Sequence, residues 1–371
     1  MENPAIVIDQ GTNIRAGFAE EEEPRCIFPS IVGRPKFMWG CGTENKEVYV
    51  GKSAIEKESV LQLNSPYVEG EVVDFDDMEK VWEHTFSDEL KTLPEEHPIL
   101  ISSSPKTPDL SKEKYAIIMF ESFNVPALYI QNKPQLIMFG GGSANGIVFD
   151  SGATMTTISP VLEGKLVKDK CVSFPLGGRD VDDYLVKILN QLNVCLTTKS
   201  EQSIAEEIKK QMCCIALDYE EEMQNAKENE YVLPNGDKIQ MRGAIFKAGE
   251  ALFNPSLIGK EDEGIAKRCC DIIHKFNNDD RKTLYGRIVL SGGNTMMNGF
   301  YNRFLKEVKQ IAPVEMKESI FISAMPHRDN LTWIGGSIFA SLSSYKKLFI
   351  TKDEYMDYGS EYIIKKLKLI Y

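Results

Sequence analysis

Two short stretches of this chain could do chemistry. Ala5–Phe18 reads AIVIDQGTNIRAGF, and Gly146–Ser159 reads GIVFDSGATMTTIS. Each runs from an apolar strand into an aspartate, Asp9 or Asp150, and then into a turn of glycine and hydroxyl residues. Glycine lets the backbone turn tightly and brings N–H groups close to an anion. Thr12, Thr154 and Thr156 add hydroxyl donors. An aspartate at the strand end repels phosphate, but it can hold a hydrated Mg²⁺, which takes one or two carboxylates plus phosphate oxygens. A third stretch, GRIVLSGGNTMMNGF, is a strand, a glycine loop and a helix start. It suits a base and ribose. One Asp-x-Gly turn is weak evidence. A pair about 140 residues apart, with a Gly-Gly loop about 140 further on, reads as an internally duplicated nucleotide clamp.

The elements that must position these turns follow from periodicity. Ala5–Asp9 and Arg15–Ala19 read as a hairpin around DQGTN, and Ile99–Ser103 as a strand ending in hydroxyls. Asp76–Leu90 has helical spacing with acids at its start. Ser111–Phe123 is a second amphipathic helix. Pro134–Phe139 is a third, opened by proline and ended by Gly140-Gly141-Gly142, which allows a hinge. PLGGRDVDDYLVKIL gives a glycine turn and then a helix, and Ser203–Met212 another. WIGGSIFASLSSY reads as a glycine turn entering an apolar helix. LPNGDKI is a hairpin turn at Asn235-Gly236. Lys36–Val48 reads as a mobile loop carrying Trp39. Strands and helices alternate, so the class is α/β with more than one layered sheet.

The 371 residues suggest more than one core. A formal charge of −12 disfavours direct nucleic-acid binding, which needs a clustered positive field. No stretch reaches the roughly 18 apolar residues of a membrane span, so no membrane insertion is expected. Eight scattered cysteines and four histidines show no zinc spacing and read as reduced structural thiols. The start has no signal-peptide pattern. The expected location is the cytoplasm and cytoskeleton, with the nucleus as a further possibility.

The chain resembles actin and the actin-related proteins along nearly its whole length. The motifs AIVIDQGT, FPSIVGRPK, DDMEKVWEHTF, PEEHPIL, IMFESFNVPALYI, GIVFDSG, LGGRDVDDYLVKIL, IVLSGGNTMMNGF and WIGGSIFASLSS stand in family order. The resemblance implies an actin-like ATPase fold, with duplicated ribonuclease-H-like domains and four subdomains around a nucleotide cleft. Subdomain 1 would comprise 1–30, 66–140 and 331–371, subdomain 2 31–65, subdomain 3 141–176 and 261–330, and subdomain 4 177–260. It implies ATP or ADP with Mg²⁺, the metal held through water by Asp9 and Asp150. Nucleotide contacts carried over are Gly11, Thr12, Asn13, Arg15, Gly152, Thr154, Met155, Gly178, Asp180, Lys209, Lys210, Gly292, Gly293, Thr295, Met296 and Met297. A partner helix would dock around Phe139, Ile334 and Ile338.

Departures from the family bear on activity. Its water-positioning glutamine aligns with Lys133, flanked by Gln131 and Gln135. Its aspartate and histidine in the second loop align with Ala153 and Thr157. An ammonium only donates hydrogen bonds, so it cannot orient an attacking water. ATP binding with very weak hydrolysis is the expectation. Lys210 replaces the usual ribose-side glutamate, and Asp329 in HRDN stands in the base-side lysine region. The plug loop SLIGKEDEG keeps Leu257 and Ile258 but adds Lys260, Glu261, Asp262 and Glu263. Such charge would penalise burial in a filament seam unless paired. Two functions are compatible. One is an actin-like cytoskeletal protein that assembles with itself. The other is a non-polymerising subunit of a larger assembly, such as a chromatin remodeller, a motor-associated complex or a ciliary structure. A small-molecule kinase on the same fold would need a catalytic carboxylate facing a substrate pocket, and its motifs match far less well.

Overall fold

The computed structural model describes residues 3–36, 47–192, 194, 199–233 and 236–370. The loop expected at 36–48, with Trp39, lies almost wholly outside the described residues, as does Asn235. The chain forms two compact units, Met1–Ala144 with Asn330–Tyr371, and Asn145–Asp329.

The first unit begins with the meander β1 (Ile6–Asp9), β2 (Asn13–Phe18) and β3 (Cys26–Pro29), all antiparallel. β4 (Ile99–Ser103) and β5 (Ala127–Asn132) then run parallel to β1. β1 and β4 are buried throughout. Their unbroken apolar runs are what a strand covered on both faces requires. β5 passes directly into α1 (Lys133–Gly140), with Pro134 in its first turn, so Lys133 stands at a strand–helix junction. The expected Asp76–Leu90 helix is a helix over Phe75–His84 continued by a π-helical turn over Thr85–Leu90. Asp74 caps it by accepting from the Asp77 N–H. A small sheet of Val32–Pro35, Tyr49–Val50 and Leu61–Asn64 occupies the stretch assigned to subdomain 2.

The second unit repeats the plan. β6 (Gly146–Ser151) pairs antiparallel with β7 (Thr156–Leu162), which also carries β8 (Lys165–Leu166) and β9 (Val172–Phe174). Two helices follow, α2 (Gly178–Gln191) and α3 (Lys199–Met212). β10 (Ile288–Ser291) and β11 (Ile322–Ser323) add in parallel on the other side of β6, with α4 (Phe300–Ile311) connecting them. Phe149 of β6 packs on Phe304 of α4, their ring centroids 4.8 Å apart. Strands Glu230–Val232 and Lys238–Gln240 form the hairpin expected around LPNGDKI.

The chain then returns to the first unit through α5 (Leu331–Ser341), β12 (Ile350–Thr351) on the edge of β5, and α6 (Glu361–Ile370). The first sheet therefore runs β12-β5-β4-β1-β2-β3, and the second β8-β7-β6-β10-β11. In both, a central strand with an aspartate in its last two residues has an antiparallel hairpin partner on one side and a parallel strand on the other.

The glycine turn expected at WIGGS is not a turn. α5 runs straight through Gly335 and Gly336. A Cβ at Gly335 would fall 1.8 Å from the Leu136 carbonyl oxygen, and one at Gly336 2.7 Å from Val7 Cγ1. Gly335 allows α5 to lie backbone to backbone on α1, and Gly336 lets it close onto the Val7 side chain of β1; they do not bend the chain. The C-terminal stretch is the docked helix α6. Ile363, Ile364 and Leu367 are buried, and Lys366 pairs with Glu354 at 2.8 Å.

Candidate functional site: two aspartate-ended hairpins

In the first unit, Asp9 ends β1 opposite Arg15 of β2. The carboxylate is almost fully buried. Its Oδ1 accepts a 2.7 Å hydrogen bond from Ser102 Oγ of β4 and lies 3.1 Å from the Lys133 ammonium. The same ammonium donates to the Gln10 carbonyl at 2.5 Å. It stands 3.6 Å from where a Cβ on Gly11 would sit, so it overlooks the turn. The Tyr67 ring faces it, centroid 5.7 Å away. Arg15 donates from Nε to Asn330 Oδ1 at 2.8 Å, and the Thr12 carbonyl accepts from the Ser30 N–H at 2.9 Å. Asn13 opens β2 opposite Pro29.

Behind this hairpin lie Glu71, Lys112 and Tyr115. Burial pushes the Glu71 carboxyl up, while hydrogen bonds from Thr107 and Ser104 and the charges of Lys112 and Lys133 oppose it. Glu71 Oε2 and Gln10 Oε1 are buried without a protein hydrogen-bond partner. Gln131 and Gln135 both direct amide oxygens to Asn132, to its N–H at 2.8 Å and its side-chain amide at 3.2 Å.

In the second unit, Asp150 lies opposite Thr157 in β7 and beside Ser291 in β10. The turn is knitted by backbone bonds. The Gly152 N–H donates to the Met155 carbonyl at 2.9 Å, Gly178 N–H to Gly152 O at 3.0 Å, and Arg179 N–H to Ala153 O at 2.7 Å. Thr154 lies within this turn, and a Cβ on Gly177 would strike its carbonyl carbon at 2.8 Å. Gly292 has φ +86°, and a Cβ there would sit 2.2 Å from the Ser151 carbonyl and 2.8 Å from Asp150 Oδ1. Only glycine lets the loop after β10 fold this closely over the end of β6. Thr157 Oγ1 lies 3.2 Å from Ser173 Oγ.

Lys209 joins this group: its ammonium donates to the Gly178 carbonyl at 3.1 Å and to Asp182 at 2.8 Å. Lys210 does not; it is exposed and pairs with Glu206 at 2.7 Å. Asp180 accepts from the Gly177 N–H at 2.9 Å and pairs with Lys260 at 2.7 Å. Three of the four plug charges are therefore paired inside their own unit, Lys260 with Asp180, Asp262 with Arg268, and Glu263 with Lys267 at 3.6 Å.

Three residues escaped the sequence reading. Ser102 binds Asp9. Asn294, buried, donates to Ser151 Oγ at 3.0 Å and to the Gly152 carbonyl at 2.8 Å, tying the glycine loop to the turn. Arg328 donates to Thr295 Oγ1 at 3.1 Å and to the Thr295 carbonyl at 2.5 Å, and its carbonyl accepts from the Gly292 N–H. In HRDN it is therefore Arg328 that braces the loop. A polar residue inside SGGNT was the one available signal for Asn294. The hydroxyl-ended strand Ile99–Ser103 was the signal for Ser102, without its partner, and nothing local marked Arg328.

Duplicated sheets, each ending its central strand in an aspartate at a hairpin, are those of the actin-like ATPase fold. The Actin family model matches residues 1–368. The chain is 39% identical over 366 residues to an actin-like protein of Neurospora crassa, covering 96% of each. It belongs to the actin family.

The family generally binds a nucleotide with a divalent metal, and the residues suit the two groups unequally. Around Gly293 no atom lies within 4 Å of an added Cβ, and around Gly152 only the Met155 carbonyl does, at 3.5 Å. These glycines leave room for a nucleotide to approach the backbone. Met296 is exposed enough to offer an apolar contact. The metal fits less well at Asp9, whose charge is already balanced by Lys133. Among the described residues no group of three or more His, Cys, Asp or Glu is placed to hold a metal ion. No described helix is long and apolar enough to cross a membrane.

Proposed function

We propose that this chain is an actin-like cytoskeletal protein that binds ATP or ADP and hydrolyses ATP weakly or not at all. The observation that carries this reading is the repeated hairpin, Asp9 with Gly11 and Thr12 in one unit, Asp150 with Gly152 and Thr154 in the other. Gly178, Lys209 and the Asn294-braced loop from Gly292 to Met297 would receive the ribose and base. When bound, Mg²⁺ would supply charge neutralisation at the phosphates, with Asp150 as its water-mediated carboxylate.

Hydrolysis needs a group that accepts a proton from water or orients it. Lys133 can only donate. Ala153 has no polar side-chain atom, the Thr157 hydroxyl is engaged with Ser173, and Gln131 and Gln135 are turned to Asn132. Losing a general-base group costs about 10²–10⁴ in rate. The expected residence is the cytoplasm and cytoskeleton.

Self-assembly is favoured by the home pairing of Lys260 and Asp262, which lowers the penalty for burying the plug. The contrary reading, a non-polymerising subunit of a larger assembly, draws support from the lost hydrolytic groups. In either case Phe139, Ile334 and Ile338, on the adjoining helices α1 and α5, are the place for a partner's apolar helix; Ile338 is 41% exposed. High-speed sedimentation over a range of protein concentrations with Mg-ATP tests the choice. A pellet above a sharp critical concentration supports the filament; a soluble chain at every concentration overturns it.

A further inference from the structure

We infer that Lys133 is a built-in cation for the phosphate end of the nucleotide, binding a terminal phosphate oxygen directly and replacing the charge a divalent ion would bring to Asp9. The inference rests on the nucleotide-binding reading above and deepens it.

The ammonium is held from several directions. Asp9 Oδ1 lies at 3.1 Å, the Gln10 carbonyl at 2.5 Å and the Tyr67 ring face at 5.7 Å. A cation within about 6 Å of an aromatic centroid is attracted by the ring. The side chain is 18% exposed, so the ammonium is nearly enclosed yet still reachable. It starts from the first residue of α1, at the end of a parallel strand, where ligands bind in α/β sheets. It overlooks Gly11, the turn residue without a side chain to shield an approaching anion.

A divalent ion held by Asp9 would have to share the carboxylate with this fixed positive charge. Asp9 cannot serve both cations fully, and the covalently attached one is always present. A polyphosphate, by contrast, gains from an ammonium fixed beforehand, since no side chain must be ordered on binding. No bond is made or broken in this role; the lysine binds and neutralises.

The test is calorimetric titration of ATP and ADP into the full-length protein, in Mg²⁺ and in EDTA, for the wild type, Lys133→Gln and Lys133→Arg. A charge-assisted contact corresponds to roughly 10–100-fold in affinity. Removing Mg²⁺ should weaken ATP binding by the wild type by less than about 10-fold, the lower edge of that range. Lys133→Gln should lose about 10–100-fold in EDTA and recover much of it in Mg²⁺. Lys133→Arg keeps the charge and should bind in EDTA within about 10-fold of the wild type. ADP, lacking the terminal phosphate, should respond less to Lys133→Gln than ATP does. If Lys133→Gln fails to fold in a urea titration, the wild-type and Lys133→Arg series decide. ATP bound tightly in Mg²⁺ but not in EDTA by the wild type would overturn the inference and leave the nucleotide reading standing. No binding of either nucleotide under any condition would overturn both.

Discussion

Gly335→Ala tests whether the double glycine in α5 is a packing device. The added Cβ falls 1.8 Å from the Leu136 carbonyl oxygen, 2.6 Å from its carbonyl carbon and 3.0 Å from the Gly140 nitrogen. All three are backbone atoms of α1, so no rotamer can relieve the clash. The helices must separate by about 1 Å, and close-packed interiors resist this. Overpacking of this kind costs about 1–3 kcal/mol, and more where backbone must move. Alanine in place of glycine returns about 1 kcal/mol of helix propensity. The net loss is about 2 kcal/mol, a fall in Tm of about 4–8 °C for a unit of this size. Gly336→Ala is the internal comparison, because its nearest clash is a side-chain methyl, Val7 Cγ1 at 2.7 Å. Thermal melts followed by circular dichroism, with urea titrations, should rank wild type above Gly336→Ala above Gly335→Ala. Because α1 begins at Lys133, Gly335→Ala should also weaken ATP binding in EDTA. A Gly335→Ala protein as stable as the wild type, or a reversed order of the two variants, would refute the packing argument.

Asp77 offers a pH test. Burial alone would raise its carboxyl, but hydrogen bonds from Arg34 and Asn64 and the Arg34 charge outweigh it and hold it below the ordinary range. Its contribution is therefore present above the unfolded carboxylate value, about 3.9, and lost as pH falls through the lower folded value. Asp77→Asn should cost about 1–2 kcal/mol at neutral pH, reduced because Arg34 is half exposed, and should flatten the acid limb of the urea-stability profile. Asn294→Ala removes two hydrogen bonds that tie the glycine loop to the second hairpin; about 1–3 kcal/mol of stability should go, with weaker ATP affinity by calorimetry. Burial pushes the Cys26 and Cys213 thiols up to about 12 and Cys270 to about 11, and raises Cys269 as well. Mass-spectrometric mapping of maleimide labelling in the native protein at pH 7 should leave these four unmodified, and urea should expose them together.

The hairpins were legible because their information is local. An apolar run of four, an aspartate and a glycine within two residues define strand end and turn without knowledge of the rest of the chain. The start of α1 was legible in the same way from Pro134. What sequence order hid were contacts made across it. Ser102 reaches Asp9 across a sequence separation of 93, and Asn294 reaches Gly152 across one of 142. Gly335-Gly336 misled for a related reason. In isolation a glycine pair signals a turn, and only the presence of α1 against Gly335 and of Val7 against Gly336 makes the pair a packing contact. Lys133 stands out in the sequence as an ammonium, which only donates hydrogen bonds. Its anchoring on Asp9 and Gln10, residues more than a hundred positions away, required the fold.

The two losses proposed for this protein, of hydrolysis and of metal dependence, have one physical origin. An amide side chain at the position of Lys133 could donate and accept, and so could hold a water in line with a phosphate. It would carry no charge, and the neighbouring carboxylate would be left for a metal ion's water shell. An ammonium reverses both properties at once. It satisfies Asp9 by itself and attracts the phosphate, but it has no lone pair to receive a proton. Binding would thus be retained while the chemistry is lost. The surroundings agree with a permanent cation: Asp9 and the Gln10 carbonyl in front, the Tyr67 face beside it, and the Glu71 carboxyl close enough to feel its charge. A lysine admitted by chance into a glutamine's place would not be expected to find this many complementary groups in one unit.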